Sequence, residues 1–333
     1  MQDSSIFELM SAEGHQNIFF CNDPSVGLKA IVAIHDTTLG PAIGGVRMLP
    51  YESVDDAIDD ALRLSRAITY KSSLAGLNLG GGSAIIIGNN RTEKTEVLMR
   101  RFGQFIEGLN GNFIASIDVG TTQKDLEYIF AARGVFYGIK AAIKEIYGDD
   151  SLAGRKIAVQ GVGSVGEQLV GMLRNENARV YVSDMTEERK MKVAAKYKAE
   201  PIQYATSYEL DVDVYAPCAL GGTVNPDTVP KMRCKIIAGS ANNQLKEEEK
   251  TIGLLQEHNI LYAPDFLINS GALISCFSEL EGYGNERTEA LIRNIYSATR
   301  NVLRISREEG ISTFLAAKQL AEKRIFDLSK IKR

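Results

Sequence analysis

The sequence predicts an α/β protein of two domains, a mixed α/β domain followed by a doubly wound parallel one. Three observations carry this. At 333 residues the chain is long enough for two hydrophobic cores. Its first third mixes amphipathic helices with strand-like runs. From about Gly134 the rhythm changes to short β-branched runs alternating with helical segments, the pattern of a parallel sheet with crossover helices.

The elements follow in order. Val54, Ala57, Ile58, Ala61, Leu62, Ser65 and Ile68 recur at three- and four-residue steps behind Ser53, a good N-cap, and predict a helix. A Gly-rich turn and a strand at Ala84 to Ile87 come next. Leu98, Phe102, Phe105, Ile106 and Leu109 mark a second helix ending at Asn110-Gly111, and Phe113 to Ile117 read as a strand entering Asp118-Val-Gly. Phe136, Ile139, Ile143 and Ile146 line one helical face before a polar loop from Gly148 to Gly154. Lys156–Gln160, Arg179–Ser183, Val212–Ala216, Ile236–Ala238 and Ile260–Ala263 are the strand candidates of the second domain. A long helix from Asn285 to Arg307 and a last helix from Thr313 close the chain.

Composition excludes several functions. Lys plus Arg number 38 against 42 Asp plus Glu, so no basic excess exists to hold nucleic acid. Apolar runs are strand-sized, far below the ~20 residues of a membrane helix. The first residues lack a cationic start followed by an apolar stretch, so a cytoplasmic protein is expected. Cys21, Cys218, Cys234 and Cys276 are scattered and only three histidines occur, which gives no zinc spacing. No metal is expected, and the cysteines read as reduced core thiols.

Gly161-Val162-Gly163-Ser164-Val165-Gly166 follows the strand Lys156–Gln160 and opens a helix with Val165, Leu169, Val170 and Leu173 inward. The first Gly permits a tight turn, the second lets the backbone approach a pyrophosphate, and the third allows close helix packing. Unpaired N–H groups of the helix start suit phosphates. Asp184 ends the next strand, where a carboxylate accepts from a ribose hydroxyl. This is a Rossmann dinucleotide site, and Asp184 favours NAD over NADP by repelling a 2′-phosphate, although Arg189 lies one turn on.

Several further segments resemble the glutamate/leucine/phenylalanine/valine dehydrogenases, most nearly the leucine and cyanobacterial tryptophan branches. They are Leu39–Arg47 (LGPAIGGVR), Thr69-Tyr70-Lys71, Gly76–Gly81, Asp118–Thr122, Ala216–Gly221 (APCALG), Ala238–Gln244 (AGSANNQ) and Ala263–Asn269 (APDFLIN). The resemblance spans nearly the whole chain. It implies a substrate and oligomerisation domain over 1–132, joined by a C-terminal helix at 312–333, and an NAD-binding domain over 133–311, with the active-site cleft between them. It also implies interconversion of an amino acid and its 2-oxo acid, with hydride passing to or from the nicotinamide. Lys71 falls on the lysine that holds the substrate carboxylate. Gly44 and Gly45 line the substrate, Asp118 falls on the proton-shuttling acid, and Asn269 falls on a substrate-amine contact. Cys218, Ala219 and Asn242 fall at the cofactor, Asn242 beside the nicotinamide ribose and amide.

Two departures limit the carry-over. In the family the glycine run ends in a catalytic lysine; here it is Gly80-Gly81-Gly82-Ser83. Serine has neither the charge nor a pKa near neutrality, and losing such a group typically costs about 10²- to 10⁴-fold in rate. The family also carries a loop of roughly twenty residues, a length usually functional, where here Leu126–Ala132 runs almost directly into Arg133–Tyr137. Its loss is expected to reshape the pocket or open it to solvent.

The expected function is therefore an NAD-dependent oxidoreductase acting on a CH–NH or C=N bond of a small carboxylate-bearing substrate, such as an amino acid or imine, with ordinary deamination weak. The competing expectation is a pseudoenzyme that binds NAD and serves as a structural or regulatory partner. A homo-oligomer is expected, with Ile18–Phe20 and Ala30–Ile34 as candidate interface.

Overall fold

The computed structural model describes residues 6–117 and 126–331, which divide into two compact units. Unit 1 comprises residues 1–123 and 321–333, and unit 2 residues 124–320. Asp118 lies outside the described residues.

Unit 1 contains α1 (Ile6–Glu13), β1 (Asn17–Asp23), β2 (Leu28–Asp36), β3 (Ala42–Leu49), α2 (Val54–Leu74), β4 (Gly80–Ile87), α3 (Glu96–Glu107) and β5 (Phe113–Ile117). Its sheet runs β1-β2-β4-β3-β5. β2 is antiparallel to β1 and β4, while β3 is parallel to β4 and β5. Each face has its own core, because strand side chains alternate. Ile31, Ala33 and Ile85 pack beneath Ala57, Ala61 and Leu62 of α2. Val32, Met48 and Ile86 pack on Leu98 and Phe102 of α3. Helix α2 starts where expected: the Ser53 hydroxyl accepts from Asp56 N–H, and Asp55 and Asp56 complement the positive end.

Unit 2 opens with α4 (Leu126–Tyr147) and continues with β6 (Lys156–Gln160), α5 (Ser164–Asn175), β7 (Arg179–Ser183), α6 (Glu187–Tyr197), β8 (Glu200–Pro201), β9 (Val214–Pro217) and β10 (Ile236–Ile237). It closes with α7 (Glu248–Glu257), β11 (Leu261–Tyr262), α8 (Asp265–Ile268), α9 (Gly271–Leu280) and α10 (Asn285–Glu309), while α11 (Thr313–Ile331) straddles the division. The sheet is β11-β10-β9-β6-β7-β8, all parallel. Counted from β6, that is the Rossmann order 3-2-1-4-5-6 in reverse.

Several expectations change. The domain boundary expected between residues 132 and 133 falls inside α4, which is one continuous helix. Gly134 lies against Ile268 and Phe130 against Gly271, so α4 packs as a unit from its first turns onward. The last turns of α11 belong with unit 1: Ser73 Oγ donates to Ala321 O at 2.8 Å, and Tyr70 to Glu322 at 2.9 Å. Ala30–Ile34 is no interface. It is the middle of β2, at most 3% exposed and flanked by β1 and β4. Ile18–Phe20 lies instead on the edge strand β1, with Phe20 exposed. Val165 is half-buried, and Gly166 takes its place on the inner face of α5. All four cysteines are free, yet only Cys234 is fully buried. No described helix is long and apolar enough to cross a membrane, and no described cluster of three ligands could hold a metal.

A buried histidine pair ties α1, β2 and α2 together. His15 Nε2 lies 2.9 Å from Leu62 O and 3.1 Å from Ser65 Oγ. His35 Nδ1 meets Thr69 Oγ1 at 2.8 Å and its Nε2 meets Glu13 O at 3.0 Å. The rings are edge to face at 4.8 Å, and His15 Nδ1 is buried without a hydrogen-bond partner among the described residues. Burial pulls both histidines down, His35 to about 4 with His15 adding repulsion; Glu13 and Asp36 oppose this, and Arg66 reinforces it. A histidine held neutral in the fold takes up its proton in the unfolded chain first. The stability is therefore complete above the unfolded value near 6.5 and is lost as pH falls towards about 4, an effect on the order of 3 kcal/mol for His35. His35→Gln should flatten this slope, seen as a smaller drop in thermal midpoint between about pH 7.5 and about pH 5 than in the unaltered chain.

Candidate functional site

In unit 1 the glycine run of β4 is built for close packing. A Cβ on Gly81 would sit 2.3 Å from Ser65 O of α2, and one on Gly82 would sit 2.6 Å from the Phe113 ring. Side chains are therefore excluded on both faces, and β4 lies tight between α2 and the α3-side core. Gly44 is equally constrained, since its Cβ would fall 1.8 Å from Gly82 O. The register on either side, Ile43 with Gly81 and Val46 with Ala84, sets Gly45 opposite Ser83. Gly81 and Ile85 both face α2, so alternation puts Ser83 on that face too, and it is 2% exposed.

Lys71 lies in the last turn of α2 and is only 5% exposed. A lone solvated lysine is the usual fate of that residue type, and a buried one requires a partner. Burial thus removes the surface reading of Lys71. Ile117, the last described residue of β5, pairs with Val46, next to Gly45. The segment that follows, with Asp118, is outside the described residues.

In unit 2 three loops meet at the C-terminal ends of β6, β9 and β10. Gly161 has φ +88°, a conformation that favours glycine, and donates to Ser183 O at 2.8 Å. A Cβ on Gly166 would lie 2.0 Å from Gly161 O, so the third glycine lets α5 press on the turn. A Cβ at Gly163, by contrast, meets nothing within 4 Å, and Ser164 is exposed. Gly163 is also the N-cap of α5 and supplies no side-chain hydrogen bond. The amides of the first turn of α5 therefore open towards free space, which suits a pyrophosphate.

Ala219 packs on Gly161, and Cys218, whose N–H donates to Gln160 O at 2.7 Å, lies beside Gly166. Burial pushes the Cys218 thiol up, so it is neutral. Asp184 does more than end β7. Its carboxylate accepts from Val162 N–H at 3.0 Å and Thr186 N–H at 2.8 Å, which ties the glycine turn to the start of α6. Arg189 approaches it at 3.4 Å.

The third loop carries Asn242. Asn269, just after α8, donates through Nδ2 to Asn242 Oδ1 at 2.9 Å and to Ser240 O at 3.2 Å. These donations fix the amide orientation and leave Asn269 Oδ1 as a buried acceptor without a hydrogen-bond partner among the described residues. An acceptor so placed suits an amine or ammonium donor. Gln244 and Asp265, which hold this loop, escaped the sequence reading. The signal was present for Asp265, an acidic residue opening a helical turn directly after Pro264.

The arrangement thus groups Gly161, Gly163, Ser164, Val165, Gly166, Asp184, Cys218 and Ala219 around one loop cluster. Asn242 and Asn269 form a neighbouring pair in unit 2, while Gly44, Gly45, Lys71 and Ser83 lie in unit 1.

Comparisons with known proteins give the family and the fold. The family described as Glu/Leu/Phe/Val dehydrogenase, dimerisation domain, matches residues 15–133, and that described as Glutamate/Leucine/Phenylalanine/Valine dehydrogenase matches residues 181–332. Leucine dehydrogenase of Bacillus cereus is 44% identical over 97% of this chain and 94% of its own length. The crystal structure of L-tryptophan dehydrogenase from Nostoc punctiforme is similar with a TM-score of 0.81, at 41% identity over 98% of this chain and 100% of that one. A hetero-hexameric glutamate dehydrogenase from Thermus thermophilus shares the fold at 19% identity, with a TM-score of 0.79 over 96% of this chain and 90% of that one.

Proposed function

The chain belongs to the Glu/Leu/Phe/Val dehydrogenase family, and from that premise we propose that it is an NAD-dependent oxidoreductase acting on a CH–NH or C=N bond of a small carboxylate-bearing substrate. NAD, the cofactor class of this family, would supply the hydride acceptor or donor. The chain's own residues hold and orient. The observation that carries the reading is the Asn269 Oδ1 acceptor, buried beside Asn242 without a hydrogen-bond partner among the described residues, in the same unit as the glycine turn. Gly161, Gly166, Ala219 and the first-turn amides of α5 would take the pyrophosphate, and Asp184 the adenosine ribose. Buried Lys71 would hold the substrate carboxylate, Gly44 and Gly45 would let the substrate lie close to the backbone, and Asp118 would exchange protons with it.

Ser83 shapes the rest of the proposal. It stands twelve positions after Lys71, where the family pattern has its catalytic lysine, and it is buried and uncharged. Converting an amino acid into a 2-oxo acid needs water activated at the 2-carbon, a task for a cation of lowered pKa. Moving hydride across a preformed C=N bond does not. The chain is therefore suited to imine chemistry, with hydrolytic deamination reduced by about 10²- to 10⁴-fold, roughly 3 to 5 kcal/mol of transition-state stabilisation.

The family match over residues 15–133 to a dimerisation domain, with the exposed edge of β1 and Phe20, supports a symmetric homo-oligomer. Light scattering at micromolar concentration should give a multiple of the chain mass; a monomer overturns the assembly.

Calorimetry should give tighter binding of NAD than of NADP, and Asp184→Asn should weaken NAD while narrowing the gap. Equal or tighter NADP binding by the unaltered chain would count against Asp184 as the ribose acceptor. With leucine, phenylalanine or tryptophan and NAD, turnover should be very weak, and Ser83→Lys alone should not raise it to normal enzyme rates. A carboxylate-bearing imine should be reduced with NADH, and Lys71→Ala should abolish this. Ordinary deamination by the unaltered chain would refute the role given to Ser83. Retained NAD binding with neither activity would favour a non-catalytic, NAD-binding partner instead.

A further inference from the structure

Asn242 and Asn269 come from different segments of unit 2, more than twenty residues apart in the chain. Helix α8, which ends just before Asn269, is a single turn. In the 239–244 loop Asn243 takes the left-handed conformation at φ +50°, and a Cβ on Gly239 would sit 2.1 Å from Pro217 O, so the loop backbone packs closely there.

Asp265 supplies the link between the two. It is 6% exposed. Its Oδ1 accepts from Phe266 N–H at 2.8 Å, inside the first turn of α8, and its Oδ2 accepts from Gln244 N–H at 3.0 Å, in the loop. The Tyr262 hydroxyl also hydrogen-bonds it and accepts from Asp265 N–H at 3.2 Å. One turn later, Asp265 O accepts from Asn269 N–H at 2.9 Å. On the loop side, Gln244 Nε2 donates to Gly239 O at 2.8 Å and Ala241 O at 3.1 Å, which curls the backbone that presents Asn242.

We infer that Asp265 is a positioning residue which, through Gln244 on one side and a single helical turn on the other, sets the relative placement of the Asn242 and Asn269 carboxamides. Two acceptor oxygens on one rigid carboxylate meet two backbone donors, so the geometry needs Asp: an amide would turn one of its N–H groups towards a backbone N–H. The inference deepens the proposed function and rests on the reading, implied by the family resemblance, that Asn242 lies beside the nicotinamide of NAD.

The test compares NAD with ADP-ribose, which lacks the nicotinamide, by calorimetry on the full chain. Asp265→Asn is expected to lower affinity for NAD about tenfold while leaving ADP-ribose within about twofold. Gln244→Ala removes the loop ties without touching α8 and is expected to show the same selective loss; it carries the test if the Asp265 variant fails to fold. Equal loss of both ligands in the variant that folds would mean a merely structural role, and an unchanged NAD to ADP-ribose ratio would mean no role; either overturns the inference. An unaltered chain that binds both ligands equally would overturn the placement of Asn242 and this inference with it. Binding of neither ligand would overturn the cofactor reading itself.

Discussion

Close approach of backbone to backbone is the constraint on which both units depend. In unit 1 the β4 strand lies so near α2 on one face and Phe113 on the other that neither Gly81 nor Gly82 has room for a side-chain carbon. In unit 2 Gly166 touches the carbonyl of Gly161 in the same way. Each approach removes the space a Cβ would need. Glycine lowers local stability in a strand or helix, so its concentration at these places marks where positioning has outweighed stability.

Around this constraint the polar groups are distributed unevenly. Unit 1 buries a histidine pair and several polar side chains of α2, Lys71 among them, with the histidines tying α1 and β2 to the middle of α2 and the lysine in that helix's last turn. Unit 2 buries acceptors: the Asp184 carboxylate against the glycine turn, the Asp265 carboxylate against the α8 loop, and the unpaired Asn269 carbonyl. Each carboxylate does the same work, joining a loop to the start of a helix by accepting from backbone N–H groups of both. A charged acceptor is well suited to this because its hydrogen bonds are roughly twice as strong as neutral ones.

Serine at position 83 lies in a closely packed part of unit 1, 2% exposed in β4. The strand register, the glycines beside it and the buried Lys71 all stand in the arrangement of unit 1. Position 83 thus puts an uncharged hydroxyl on the α2-facing side of β4. A serine there costs little to bury, whereas a lysine must find a partner or lose its charge.

The sequence by itself determined the parallel unit and its nucleotide turn, because that signal is local: strand, G-x-G-x-x-G, helix, and the acid ending the next strand lie within a few tens of residues and obey the 2.0 and 3.6 periodicities. It also determined α2, whose cap and apolar stripe are contiguous. It did not yield β3, which is buried on both faces and glycine-rich, so that no alternation marks it. The inner position of Ala30–Ile34 was decided only when β1 and β4 closed on either side of β2. The burial of Lys71, the continuity of α4 through residues 132 and 133, and the double duty of Asp265 were likewise settled by tertiary structure. Each depends on segments far apart in the chain meeting at a register that no local pattern encodes.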